Sequence, residues 1–153
     1  MSLHTLHREQ IILAPRQQIW EYFCDPCNLN EMTPPDMNFE IITQNLPRMY
    51  AGQLIEYRVE FIRGLRSRWL TEIAHVREQE YFVDEQRSGP YQFWYHEHTF
   101  QIVPGGTFMI DNVTYSIGFG ALGDVLNAVW IGARLKSIFD FRVQMIKQIF
   151  PER

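Results

Sequence analysis

The sequence predicts an α+β domain: an antiparallel sheet of seven strands with one face covered by a long C-terminal helix. Three observations predict it. Six stretches between residues 38 and 117 carry strand-like segments, most of them with the two-residue alternation of a half-buried strand. Turn-forming residues separate several of them, at Gly64, Ser88-Gly-Pro90 and Pro104-Gly-Gly106, which suits hairpins. Residues 121–150 then run without proline to Pro151, with apolar side chains at helical spacing. Runs of strands followed by a helix read as a sheet with a helix packed on it. The chain has 153 residues, 46% of them apolar and 14% aromatic, so all of 1–153 is read as one domain with its own core.

The elements follow in order. Residues 4–14 alternate loosely and form the opening strand. Pro15 suits the first turn of a helix, where its missing N–H is harmless, and Gln17–Phe23 follows with Ile19, Tyr22 and Phe23 on one face. Pro26 stops that helix, and Asn28–Met32 gives one more turn before Pro34-Pro35. Strands are expected at Asn38–Thr43, Gln53–Ile62, Arg66–Val76, Glu80–Arg87, Phe93–Val103 and Thr107–Ile117. On the last helix, Ile131, Leu135, Ile138, Met145 and Ile149 form one stripe, and Leu122, Leu126, Val129 and Ala133 a second on the opposite side.

Bulk properties narrow the function. A net charge of −4 with no basic block excludes nucleic acid as the main partner, and Arg63, Arg66 and Arg68 read as a solvated hairpin end. Cys24 and Cys27 form a single CxxC at a helix end, not a start, so neither a four-thiolate zinc site nor a helix-activated redox thiol is expected. Glycine fingerprints for nucleotides and a GxSxG nucleophile elbow are missing, and no cofactor is expected. Met1-Ser-Leu-His4 has neither a basic start nor an apolar run, so the expected location is cytoplasmic. The apolar segment 117–133 has 17 residues, short for a span and broken by glycines. Contact of this segment with a membrane surface, or with a second subunit, stays open as an alternative.

The most informative stretch is Tyr91–Phe100. As a strand it puts Trp94, His96, His98 and Phe100 on one face, with Phe93, Tyr95, Glu97 and Thr99 on the other. Two imidazoles among large aromatics suit a ligand cavity, which needs apolar bulk and a few orienting groups. Matching faces on other strands carry Phe82, Asp84 and Gln86; Met109, Asp111, Val113 and Tyr115; Ile55, Tyr57, Val59 and Phe61; and Trp69, Thr71 and Ile73, although Phe108 and Ile110 on the other face leave the strand at Thr107–Ile117 ambiguous. Ligand-binding candidates are therefore Tyr57, Trp69, Asp84, Gln86, Trp94, His96, His98, Phe100, Asp111 and Tyr115. A buried carboxylate must find a partner, so Asp84 or Asp111 beside His96 or His98 is expected. Such a couple is also the candidate for acid–base catalysis. The imidazoles should stand about 6–7 Å apart along the strand, and no metal site is expected. Arg134 and Arg142 are expected to pair with Asp140 or surface acids.

The chain resembles the START-like, or SRPBCC, superfamily, which includes polyketide cyclase/dehydratase-like proteins and plant proteins of the birch-pollen-allergen type. Gly89-Pro-Tyr91, Trp94-x-His96-Glu-His98-x-Phe100, Gly105-Gly-Thr107, Asp111-x-Val-x-Tyr115 and Ile138-Phe-Asp-Phe-Arg142 carry the resemblance locally. They are similar to a bacterial branch labelled ligand-binding or cyclase-like. The resemblance implies a helix-grip fold, a curved sheet wrapped around the C-terminal helix with a cavity between them. Three functions are compatible with it: binding of a hydrophobic small molecule (lipid, isoprenoid or polyketide-like), cyclase/dehydratase-type catalysis by a His–Asp pair, and docking through the apolar start of the last helix.

Overall fold

The first strand of the chain pairs with the last, at one edge of an open sheet. The computed structural model describes residues 2–151 and contains β1 (His4–Ile12), β2 (Glu40–Ile41), β3 (Leu54–Ile62), β4 (Leu65–Arg77), β5 (Tyr81–Ser88), β6 (Phe93–Val103) and β7 (Gly106–Ser116). They form one antiparallel sheet in the order β1-β7-β6-β5-β4-β3-β2. From β2 to β7 each strand pairs with the next in sequence, as hairpins require. β1 instead pairs along its whole length with β7, from His4 opposite Tyr115 to Ile12 opposite Thr107. Register irregularities between β3 and β4 and between β4 and β5 bend this half of the sheet.

Helix α1 (Arg16–Phe23) and two 3-10 turns, Pro26–Asn30 and Pro35–Met37, fill the connection from β1 to β2. Asp25 caps the first turn by accepting a bond from the Cys27 N–H. The second turn ends on Asn38 at φ 43°, a left-handed residue that cannot begin a strand. This shortens the strand expected at Asn38–Thr43 to Glu40–Ile41. The long C-terminal helix is interrupted: α2 (Gly120–Leu126) and α3 (Gly132–Ile149) are joined by a π-helical turn at Asn127–Ile131. Among the described residues no helix is long and apolar enough to cross a membrane.

Alternation decides what is buried. Ile55, Tyr57, Val59 and Phe61 on β3 and Met109, Asp111, Val113 and Tyr115 on β7 all face inward, as do Trp94, His96, His98 and Phe100 on β6. Each fully buried large apolar side chain contributes roughly 1.5–3 kcal/mol relative to exposure. Two apolar clusters result. One joins Trp20, Phe82, Phe100, Met109 and Ile146; the other joins Phe61, Tyr91, Trp94, Leu135 and Phe139. Along β6, Trp94 belongs to the second and Phe100 to the first, so His96 and His98 lie at the seam.

The expected stripe on the last helix is out of phase. Leu135 and Ile138 are buried, but so are Phe139 and Ile146, whereas Met145 and Ile149 are only half-buried. Of the opposite stripe, Leu122 and Val129 face solvent, alongside Phe119 and Val125.

Candidate functional site

A cavity of about 170 Å³ lies between the sheet and α3. β3 to β6 supply most of its wall, through residues such as Tyr57, Val59, Trp69, Ile73, Phe82 and Trp94. Leu135, Ile138, Phe139 and Arg142 of α3 face them. The segment from Phe23 to Thr33, with Met37 and Phe39, closes the remaining side. At one corner Trp69, Tyr91 and Trp94 pack with ring centroids 5.0–5.5 Å apart, a spacing that favours edge-on and tilted aromatic contact. Among the described residues, the Trp69 Nε1 and the Tyr91 hydroxyl find no hydrogen-bond partner there.

On this mainly apolar wall, strand register assembles one polar group. Asp84 on β5 is directly opposite His96 on β6, and His98 is directly opposite Asp111 on β7. The side chains reach diagonally as well. His96 Nε2 donates to Asp111 Oδ1 at 2.7 Å, and His98 Nε2 to Asp84 Oδ2 at 2.7 Å. The other two nitrogens also face carboxylates: His96 Nδ1 is 3.3 Å from Asp84 Oδ2, and His98 Nδ1 is 3.1 Å from Asp111 Oδ1. The rings are not 6–7 Å apart; they lean together, with centroids 3.6 Å apart, because each is drawn to the same two carboxylates. Phe82 stacks on the far side of His98 at 4.0 Å, and Trp94 Nε1 donates to Asp84 Oδ1 at 3.0 Å.

Burial alone would raise the pKa values of Asp84 and Asp111, since it disfavours the charged carboxylate. The adjacent imidazoles outweigh it and hold both carboxyls well below the ordinary carboxylate range. For His96, burial lowers the pKa, and the two carboxylates more than offset this, so the net direction is upward. Arrangements of this kind can hold a cation, orient an acceptor on a guest, or move a proton at the cavity wall.

The placement of the expected site residues divides in two. Tyr57, Trp69, Asp84, Trp94, His96 and His98 line the cavity. Gln86, Phe100, Asp111 and Tyr115 do not. Gln86 is spent on the backbone of Tyr91, donating to its carbonyl at 2.7 Å and accepting from its N–H at 3.1 Å. Phe100 is solid core, in contact with Trp20, Phe23 and Phe82. Asp111 lies behind the imidazoles, and the Tyr115 hydroxyl donates to Asn127 Oδ1 at 2.8 Å. The expectation for Arg134 stands, in an ion pair with Asp36 at 3.0 Å. Arg142 is a correction. Asp140 is taken by Arg8 at 3.0 Å, and Arg142 turns inward, its guanidinium 4.9 Å above Phe139 and 3.8 Å from Asp111 Oδ1. The missed signal was spacing: Arg142 follows Leu135 and Ile138 by seven and four positions, on the buried face.

Comparison with known proteins yields a fold. No family model matches the chain, and no curated protein matches its sequence. Solved structures do. A protein from Thermus thermophilus is similar over 95% of both chains, with 16% identity and a TM-score of 0.73. A START superfamily protein from Mycobacterium smegmatis is similar over 95% of this chain and 99% of its own, with 13% identity and a TM-score of 0.69. The ginseng major latex-like protein 151 from Panax ginseng is similar over 98% and 99%, with 11% identity and a TM-score of 0.70. Together with the curved seven-stranded sheet and its C-terminal helix, these likenesses show that the chain has the START-like helix-grip fold.

Proposed function

We propose that the protein binds a small hydrophobic molecule in the cavity between its sheet and α3. The observation that carries this reading is the cavity itself: about 170 Å³ of space with a mostly apolar and aromatic wall, in which His96, His98, Asp84 and Arg142 form a polar group and Asp25 lies on the segment between Phe23 and Thr33. Apolar contact supplies affinity in such a site, and the few polar groups select orientation. An apolar cavity of about 150 Å³ accepts a benzene-sized guest. The volume therefore favours a compact ring system or short isoprenoid over a long-chain lipid.

Trp69 and Trp94 stand in the wall, so indole emission reports occupancy directly. Titration with a panel of naphthols, indoles, flavonoid-like rings and short terpenols should give saturable changes in emission. A guest at a hundred times its dissociation constant should also stabilise the protein by about 2.7 kcal/mol. If no member of the panel changes either emission or melting temperature, the reading fails.

A further inference from the structure

The hydrogen-bond inventory around His96 and His98 does not close with neutral side chains. A neutral imidazole has one donor and one acceptor nitrogen. Here all four ring nitrogens face carboxylate oxygens, at 2.7, 2.7, 3.1 and 3.3 Å. Two neutral rings would turn two lone pairs toward carboxylate oxygens. Two charged rings would set two like charges 3.6 Å apart, centroid to centroid, in a buried, tilted pair. His98 Nδ1 shows the misfit, since it is buried and makes no hydrogen bond although Asp111 Oδ1 is near.

A metal ion removes the conflict. One donor atom from each of Asp84, His96 and His98 lies within 4.8 Å of the others. The nitrogens that face Asp84 Oδ2 are His96 Nδ1 and His98 Nε2. Ligands about 2.0–2.2 Å from a tetrahedral zinc ion stand roughly 3.3–3.6 Å from one another. The 3.3 Å separation fits this, and the 2.7 Å hydrogen bond must open by less than about 1 Å to admit the ion. With those two nitrogens on the ion, His96 Nε2–H donates to Asp111 Oδ1 at 2.7 Å, and His98 Nδ1 lies 3.1 Å from the same oxygen, which a small turn of the ring would bring into line. Asp111 is then the carboxylate that fixes both tautomers, the partner that metal-bound histidines usually have. Trp94 already satisfies Asp84 Oδ1 and leaves Oδ2 to bind.

We propose that Asp84, His96 and His98 bind a divalent transition-metal ion of the Zn²⁺ or Fe²⁺ class at the cavity wall, with Asp111 positioning both imidazoles from behind. Two imidazoles and one carboxylate suit these ions; Mg²⁺ and Ca²⁺ prefer oxygen throughout. Three protein ligands leave a coordination position for water or for an oxygen of a guest. The dication and Arg142 together exceed the two carboxylates by one charge, so an anionic oxygen is the favoured occupant. The sequence led to no metal being expected because two histidines and a carboxylate are a poorer set than the His and Cys that zinc sites usually carry; the convergence of both imidazoles on shared carboxylates is what the strand register adds. The site is independent of the hydrophobic-guest reading, since an ion can bind without a guest and a guest without an ion.

The test uses the full chain, stripped with a chelator and titrated with Co²⁺. The unaltered protein should develop visible ligand-field bands that saturate at one equivalent and are bleached by Zn²⁺. His98→Gln and Asp84→Asn should lose the bands, Asp111→Asn should weaken binding about 10–100-fold, and the exposed His75→Gln should bind as the unaltered protein does. The ligand variants alter buried groups and can lose their fold, so anomalous scattering at the zinc edge from crystals of unaltered protein supplies the second measurement. A peak among Asp84, His96 and His98 supports the site. Lack of bands with the unaltered protein, or anomalous signal only at the surface pairs His4–Asp124 or His7–Glu9, overturns it.

Discussion

At the scale of single residues, environment decides chemistry more than residue type does. The two cysteines make the contrast measurable. Cys24 caps the end of α1 and is buried; Cys27, three positions on, is exposed in the following 3-10 turn. Burial pushes the Cys24 thiol up to about 11, against the opposing pull of the Arg48 guanidinium 3.7 Å away. Thiolate is the reactive form, so Cys24 should be inert at pH 8. Alkylation of the native protein with iodoacetamide at that pH should modify one thiol, mapped to Cys27 by peptide mass, and reach the second only in denaturant. Rapid labelling of both would mean that the α1 end opens freely. The same contrast separates the histidines: His75 faces solvent, whereas His96 and His98 share two carboxylates in the interior. Strand parity accounts for His96 and His98 but not for His75, which has the parity of the buried Thr71 and Ile73 and is turned out by the register shift between Ile73 and His75.

At the scale of elements, periodicity was readable and phase was not always. A two-residue period admits only two faces; Glu56, Arg58 and Glu60 identify the outer one on β3, whereas Phe108 and Ile110 leave β7 ambiguous in sequence until its register with β6 is known. A helix offers many faces, and hydropathy places its stripe only if the inward residues are apolar. Arg142 breaks that condition on α3, which is why the expected stripe ran through Met145 and Ile149 and missed Phe139 and Ile146. The π-helical turn was equally hidden, since Asn127–Ile131 carries no proline and nothing in its composition distinguishes it from α-helix. α2 depends on a close backbone approach that sequence shows only as a glycine. A Cβ added at Gly123 would lie 1.8 Å from the carbonyl oxygen of Gly118, a backbone atom that cannot rotate aside. Gly123→Ala should therefore displace α2 and cost about 1–3 kcal/mol, the usual range for overpacking. In a chain of this length each kcal/mol corresponds to a melting shift of about 2–4 °C. The cavity wall lies on other elements, so guest-induced quenching of Trp94 should survive the substitution. A melting temperature equal to that of the unaltered protein would show that α2 is not seated on Gly118.

At the scale of the whole molecule, the cavity is a stability cost that the fold tolerates. Close-packed interiors leave few voids larger than water, and each unfilled volume forfeits dispersion contacts on its lining. Sequence could indicate a hollow interior only indirectly, through histidines among aromatics on one strand face. It could not show which aromatic residues fill space and which bound it: Phe100 and Trp94 share a face on β6, yet Phe100 is core and Trp94 is wall. What separates them is their cover: Trp20 and Phe23 of α1 pack on Phe100, whereas Trp94 faces the cavity. Val59 gives a direct measurement of the trade between packing and occupancy. It is buried at the middle of β3 and lines the cavity opposite α3. Val59→Leu adds one methylene directed into that space, worth roughly 0.8 kcal/mol if it is buried without strain. The expected result is a rise in melting temperature of about 2–3 °C in the absence of guest. The same substitution should weaken every guest that stabilises the unaltered protein, because guest and methylene compete for one volume. If Val59→Leu instead destabilises the protein by about 1–3 kcal/mol, as overpacking of a filled core does, the interior holds no space for a guest at that position.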